Sequence, residues 1–102
     1  MHRTNIVLSG NISDVPPSDE NHCIAILDKV RPQVEEKLGK HFESWTAIQM
    51  KSQVYAGTCY YIKVDAGSEC VHVKVHEDIE GQHELKACKA SMHKDDMLAD
   101  FE

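Results

Sequence analysis

The feature that most constrains the fold is a pair of alternating segments that meet at Ala56-Gly57. Upstream, apolar and polar residues alternate over 48–54, and downstream Tyr60, Ile62 and Val64 fall on one side of the chain. A period of two is typical of a half-buried strand. Gly57 accepts the positive φ that a tight reversal requires, because it has no Cβ. The pattern predicts an antiparallel hairpin with residues 53–57 at its tip.

The tip of this hairpin is unusually apolar. Hairpin tips are usually built from Asn, Asp, Ser and Gly, whereas this one carries Val54, Tyr55 and Ala56. Because no core is evident for these side chains to enter, we interpret the tip as a contact surface for another molecule. From periodicity alone, an ordinary hairpin with a partly apolar tip remains the simpler interpretation.

A second pattern predicts one long helix, roughly over residues 19–38, ahead of the hairpin. An apolar residue recurs every four positions, which places one stripe along a helix and is most simply explained as core. The stripe consists of Ile26, Val30, Val34 and Leu38. Ser18 or Asp19 offers an N-cap, and Gly39 ends the pattern. Pro32 removes one backbone donor inside it, so we expect a kink or a local break there.

The remaining strand patterns are joined by short turns and give the fold class. The predicted strands cover about 42–54 with a bulge near Thr46, 58–65, a third strand around 71–75, and a poorly patterned last strand at about 83–92. The turns fall at 66–69 and 78–81. Together these elements predict an α+β domain in which a four- to five-stranded antiparallel sheet wraps around one helix.

Composition excludes several classes of partner. The chain has 102 residues, enough for one domain with a modest core, and a formal charge of −6 that argues against nucleic acid and anionic membranes. No apolar run approaches the roughly 20 residues that span a bilayer, and the first residues lack a long apolar signal segment. We therefore expect a cytoplasmic protein without a membrane partner, in which the four cysteines stay reduced.

Neither a metal site nor an enzyme active site is expected from local sequence. His72 and His76 share a strand face but lie about 13 Å apart, too far for ligands of one ion. There is no Cys-x-x-Cys pair among the cysteines, so we predict no metal and no cofactor. A catalytic Cys-His pair stays open in principle, because distant residues can meet in space. Nothing in the local sequence supports it, and the chain is small for such an enzyme.

Five ordered segments resemble one known family. Gln53-Val54-Tyr55-Ala56-Gly57-Thr58 resembles the QxVxG signature of the cystatin superfamily and, within it, of the stefins (type 1 cystatins), with a pattern most like the stefin A type. The other similar segments are Gly10-Asn11-Ile12-Ser13, residues 30–37, residues 71–75, and Asp95-Asp96-Met97-Leu98 with Phe101. The resemblance covers nearly the whole chain from Gly10 onward. It implies a domain over residues 10–102, preceded by a flexible extension over 1–9.

The resemblance also implies a function. Stefins are not enzymes but reversible, tight-binding, non-covalent inhibitors of papain-like (C1) cysteine proteases such as cathepsins of the L, B, H or S type. A wedge of three segments occludes the active-site cleft. Here these segments comprise Ser9 and Gly10; Gln53, Val54, Tyr55, Ala56 and Gly57; and Ile79, Glu80 and Gly81. The resemblance further implies a protein that is mainly monomeric, with a domain-swapped dimer possible through straightening of the first hairpin.

Two departures from the family pattern lead to specific expectations. Glu80 stands where stefins usually carry proline, so we predict a weaker contribution from that loop. Cys59 stands where stefins commonly have asparagine, and its place just past the hairpin predicts partial exposure. The alternative to inhibition is a cystatin-fold interaction module that has lost inhibition through the altered loop.

Overall fold

The computed structural model describes residues 12–54 and 56–98, and it forms one antiparallel sheet packed on one helix. The elements are β1 (Ser13–Asp14), a 3-10 turn (Pro17–Asp19), α1 (Glu20–Leu38), β2 (Thr46–Val54), β3 (Thr58–Asp65), β4 (Cys70–Glu77) and β5 (His83–Met92). The strand order is β1-β2-β3-β4-β5, and every neighbouring pair is antiparallel. This confirms the predicted α+β class. Predictions on residues 1–9, Gly10, Tyr55 and Phe101 lie outside the described residues.

The helix carries the predicted apolar stripe into the core. Ile26, Val30 and Val34 are buried, and Leu38 packs partly against the same cluster. Gly39 ends α1 in the left-handed region at φ 68°, where its N–H reaches the carbonyls at the end of the helix. α1 stays helical through Pro32, so the break expected there is not found. The helix is therefore the element against which the sheet wraps.

The inward sheet face matches the alternation in the sequence, but the opposite face of β3 is also covered. Tyr61 and Cys59 form a second apolar cluster with Leu98, and Ile12 packs against it. Lys63 is buried beside them, and its ammonium group donates to the carbonyls of the 94–96 turn. Cys59 is only 5% exposed, so the expectation of partial exposure is wrong. The cause is the C-terminal segment, which closes over this face.

The start of β2 differs from the sequence prediction. The strand begins at Thr46 rather than near residue 42, and its register with β3 shifts between Ala47 and Gln49, close to the predicted bulge. Trp45 lies before the strand, where its indole N–H donates to the Leu27 carbonyl at 3.1 Å. The bulge therefore shifts the register of β2, so that Trp45 can contact the helix while the residues after the bulge keep their alternation.

Candidate functional site

The two hairpins named in the sequence lie side by side at one end of the sheet. We call residues 53–57 the first hairpin and residues 78–82 the second hairpin. Thr58 pairs with Glu77, so β3 starts where β4 ends. A Cβ on Gly57 would lie 2.2 Å from the Glu77 carbonyl oxygen, and the φ of Gly57 is +111°. Glycine at this position thus permits the close approach of the two hairpins.

The first hairpin exposes its apolar side chains while polar contacts hold its base. The Val54 side chain is 67% exposed at the end of β2. The Tyr61 hydroxyl donates to Gln53 Oε1 at 2.9 Å. The His76 ring nitrogen Nε2 lies 2.8 Å from the Ala56 carbonyl and donates to it. Valine is therefore presented to solvent on a turn that is anchored at both ends.

The second hairpin presents an even more exposed side chain on an internally bonded loop. Ile79 is 89% exposed. Asp78 Oδ1 accepts hydrogen bonds from the backbone N–H groups of Glu80 and Gln82, both at 2.9 Å. The hydrogen bond from the Gln82 backbone, ahead of that from Glu80, holds the pKa of the Asp78 carboxyl below its ordinary value. The loop is thus ordered by an aspartate at its first position.

The N-terminal part of the site is described only from Ile12 onward. β1 runs antiparallel to β2, with Ser13 opposite Ser52 and Asp14 opposite Lys51. The described chain therefore enters the sheet near the first hairpin. Ser9 and Gly10, which were predicted to complete the site, lie outside the described residues, as does Tyr55.

A further cluster at the base of the second hairpin was missed in the sequence. His22, Glu77 and His83 bring two ring nitrogens and a carboxylate oxygen within 4.8 Å of one another. Glu77 and His83 are register partners across β4 and β5, so the hairpin itself predicts that contact. His22 comes from the first turn of α1, and no local pattern indicates it.

The cysteines do not have the properties of a nucleophile. All four are free thiols, and Cys23, Cys59 and Cys70 are buried. Burial, helped by the charge of Asp19, raises the pKa of Cys23 to about 11. Burial also raises the pKa of Cys88. A catalytic thiol needs a lowered pKa and access to substrate, so the environments of Cys23 and Cys88 are the opposite of what nucleophilic catalysis requires.

Comparison with known proteins places the chain in a family. The cystatin domain matches residues 10–96. Human cystatin-A is 39% identical over 99 residues, covering 93% of this chain and all of that protein. Mouse stefin-3 is 39% identical over 87 residues and covers 84% of each chain. A pig protein named leukocyte cysteine proteinase inhibitor 1 is 37% identical over 99 residues, covering 93% of this chain and 95% of that protein.

An α+β domain with two adjacent hairpins that expose apolar side chains has a surface suited to contact with another protein. The chain belongs to the cystatin family and, within it, to the stefin type. Cystatins are inhibitors of cysteine proteases and not enzymes, which agrees with the prediction from the sequence. Among the described residues, no helix is both long enough and apolar enough to cross a membrane.

Proposed function

We propose that the protein is a reversible, tight-binding, non-covalent inhibitor of papain-like cysteine proteases. The observation that carries the proposal is the adjacency of the two hairpins, each with an exposed apolar side chain, Val54 at 67% and Ile79 at 89%. Such proteases hold their thiolate in a narrow cleft. A blunt apolar edge fills that cleft without placing a peptide bond in attacking geometry, so the thiolate is covered but not acylated.

The energetics require more than the two apolar tips. A nanomolar complex corresponds to about 12 kcal/mol, whereas each buried aliphatic side chain contributes roughly 1.5–3 kcal/mol. Two tips leave half or more of this free energy to other contacts. Main-chain contacts of ordered hairpins supply part, because little conformational entropy is lost on binding. Ser9 and Gly10 with the preceding residues supply the rest, as the third segment of the wedge.

The family gives cysteine proteases as the class of partner, and the particular proteases are our proposal. Cysteine proteases are the partners of cystatins, and we propose cathepsins of the L, B, H or S type for this chain. We also propose a cytoplasmic location, a domain over residues 10–102 with a flexible extension over 1–9, and a mainly monomeric state. A domain-swapped dimer needs Ala56 and Gly57 to leave their positive φ values of 49° and 111° and join a continuous strand.

The direct test is titration of the reduced protein into papain and a cathepsin L-type enzyme while hydrolysis of a fluorogenic peptide is followed. We expect stoichiometric loss of activity that reverses on dilution. Deletion of residues 1–10, or Gly10→Trp, should weaken inhibition. Ser68→Trp, in the exposed turn at the other end of the β3–β4 hairpin, is the matched control and should leave inhibition unchanged. Absence of inhibition at micromolar protein would favour the non-inhibitory interaction module instead.

The proposed dimer has its own test. Because the swap straightens the first hairpin, a swapped dimer should lose inhibition while the monomer keeps it. Size-exclusion chromatography separates the two, and each peak is assayed against papain. A fully active dimer would contradict a swap through this hairpin.

A further inference from the structure

We propose that His22, Glu77 and His83 form a binding site for a divalent transition-metal ion, Zn²⁺ in the first instance, at the base of the second hairpin. The site joins three separate elements. His22 lies in the first turn of α1, Glu77 ends β4 and His83 begins β5. An ion bound there would tie the start of the helix to the hairpin. The inference concerns metal binding alone and does not depend on protease inhibition.

The distances between the candidate ligand atoms fit one ion. Glu77 Oε2 lies 2.9 Å from His22 Nε2 and 2.7 Å from His83 Nε2. All three ligand atoms lie within 4.8 Å of one another. Tetrahedral Zn²⁺ with bonds of about 2.0–2.1 Å separates its ligand atoms by about 3.3 Å. The Glu77 oxygen therefore has to move away from each ring nitrogen by only about half an ångström to reach that spacing.

The surroundings favour a cation and leave a path for it. The side chains of Glu77 and His83 are 18% and 12% exposed, whereas that of His22 is 49% exposed, so an ion enters from the His22 side and keeps a water as its fourth ligand. The Glu77 carboxylate oxygen accepts hydrogen bonds from both ring nitrogens, so the three candidate ligand atoms already face one another.

The donor set selects the class of metal. Two imidazoles and one carboxylate suit Zn²⁺, Co²⁺, Ni²⁺ or Cu²⁺. Ca²⁺ and Mg²⁺ bind through oxygen ligands and prefer six or more of them, so this set disfavours both. With three protein ligands the site is an open one, and its role in this position is to hold α1 and the second hairpin together.

Lys29 gives the proposal a sharper consequence. Its ammonium group lies 3.2 Å from His83 Nδ1 and can only donate, so Nδ1 accepts and the ring proton lies on Nε2, facing Glu77. When Nε2 binds a metal, the proton of the neutral ring moves to Nδ1, where it faces the ammonium. Lys29 must then swing into solvent. Lys29→Gln offers an acceptor to Nδ1–H instead and should tighten metal binding, since such outer partners change metal affinity by about 10–100-fold.

The experiment is isothermal titration of Zn²⁺ into the full chain, kept reduced with a non-chelating phosphine. A His2→Gln background prevents chelation by the N-terminal region. We expect one ion per chain, and His22→Gln should weaken binding by about tenfold or more. His41→Gln is the matched control, because His41 also lies beside a glutamate, Glu35, but has no second histidine in that ion pair. It should bind Zn²⁺ like the parent.

Two further readouts keep the test independent of folding defects. Zn²⁺ at about one hundred times its Kd should raise the Tm of the parent by roughly 10–20 °C, and that of His22→Gln by much less. His22 is the ligand to change first because its side chain is half exposed. Bound Co²⁺ should show a tetrahedral visible spectrum without a thiolate charge-transfer band. Protease inhibition is not used as a readout, because Zn²⁺ also binds the protease thiolate.

The results distinguish a metal site from a cluster that is only hydrogen-bonded. Binding weakened by about tenfold or more in His22→Gln and His83→Gln, unchanged in His41→Gln, and tighter in Lys29→Gln than in the helix control Lys37→Gln would establish the site. A parent protein that binds no Zn²⁺, or a thiolate band with Co²⁺, would overturn it. Equal affinities for His22→Gln and His41→Gln would also overturn it. In each of these cases the cluster is only a hydrogen-bonded carboxylate with two histidine donors.

Discussion

The two hairpins present apolar side chains from loops that are ordered in different ways. The first hairpin is held by its neighbours: Gly57 touches the end of β4, and His76 donates to the Ala56 carbonyl. The second hairpin is held from within, by Asp78, whose carboxylate accepts from two backbone N–H groups of the loop. The backbone of a hairpin tip can therefore be ordered either by contacts with neighbouring strands or by hydrogen bonds within the loop.

This difference bears on Glu80, which the family resemblance of the sequence matches to a position that is usually proline in stefins. Proline would restrict the backbone through its ring but would have no N–H to donate. Here the Glu80 N–H donates to Asp78 Oδ1 at 2.9 Å, so a hydrogen bond restricts the loop in place of a ring. The second hairpin is consequently ordered by a carboxylate within the loop, whereas the first is ordered by contacts with β3 and β4 outside it.

The largest effect is expected for Gly57→Ala. Its Cβ would meet the Glu77 carbonyl oxygen at 2.2 Å on a backbone with φ +111°. The steric overlap and the strained φ should together lower the free energy of unfolding by about 3 kcal/mol or more. Urea denaturation measures the loss, and inhibition should fall with it because the hairpins are forced apart.

Gly81→Ala is the matched control in the second hairpin. Gly81 also has a positive φ, +88°, but a Cβ there meets nothing within 4 Å. Only the conformational penalty of about 1 kcal/mol is expected. Equal costs for the two substitutions would show that the close approach of Gly57 to Glu77 does not exist.

The next effect concerns the exposed side chains themselves. Val54→Ala should leave stability nearly unchanged and weaken inhibition by about tenfold, since two methyl groups contribute roughly 1.6 kcal/mol when buried. Ile79→Ala removes more apolar surface, yet we expect less than tenfold, because Glu80 keeps that loop hydrated. Inhibition constants against papain measure both, and Ile48→Ala, a 43% exposed position on β2, is the control. A larger loss for Ile79→Ala would show that the second hairpin is fully engaged.

Much of the fold could be predicted because it depends on local periodicity. The alternation around Ile62 predicted β3 at 58–65, which are its bounds in the structure. The stripe through Val30 predicted α1 to within one residue at its start. Features that depend on contacts between distant segments could not be read in this way. Leu98 covers Tyr61 and so buries Cys59, and no pattern within residues 93–98 indicates this.

In the candidate site, too, features set by local pattern could be predicted and features set by contacts between distant segments could not. Both hairpins were predicted from the sequence, the first as a turn between two alternating strands and the second as a turn after the alternating third strand, and the family resemblance assigned them a role. Their adjacency follows from the pairing of β3 with β4. The His22, Glu77 and His83 cluster requires the position of α1 on the sheet, and helix placement has no signature at single positions. That cluster therefore emerged only with the tertiary structure.

A smaller effect is expected from acid on the second hairpin. The folded pKa of Asp78 lies below the ordinary value of 3.8, chiefly because of the hydrogen bond from the Gln82 backbone. A carboxyl with a lowered pKa orders the loop at pH values above its unfolded pKa, and that order is lost as the pH falls through the folded pKa. Amide chemical shifts of Glu80 and Gln82, followed by NMR from pH 7 downward, should change with a midpoint below 3.8.

Asp78→Asn separates this titration from general acid effects. The asparagine oxygen still accepts hydrogen bonds but has no charge to lose, so the same amides should show no transition in that range. A midpoint at or above 3.8 in the parent would contradict the proposed ordering by the ionised carboxylate. A transition that persists in Asp78→Asn would assign it to another group.

The smallest effect is expected from Glu80→Gln. This change removes the charge but keeps the backbone N–H that donates to Asp78, so the loop should stay ordered and stability should not change. Exposed charges act weakly, and inhibition should change by less than about fivefold, with a weaker dependence on salt. Glu80→Pro is the substitution to compare with it, because proline supplies a rigid ring but removes the backbone N–H that donates to Asp78. If Glu80→Pro inhibits better than Glu80→Gln, the ring orders the loop more effectively than the hydrogen bond, and the contrast drawn between the two hairpins fails at this residue.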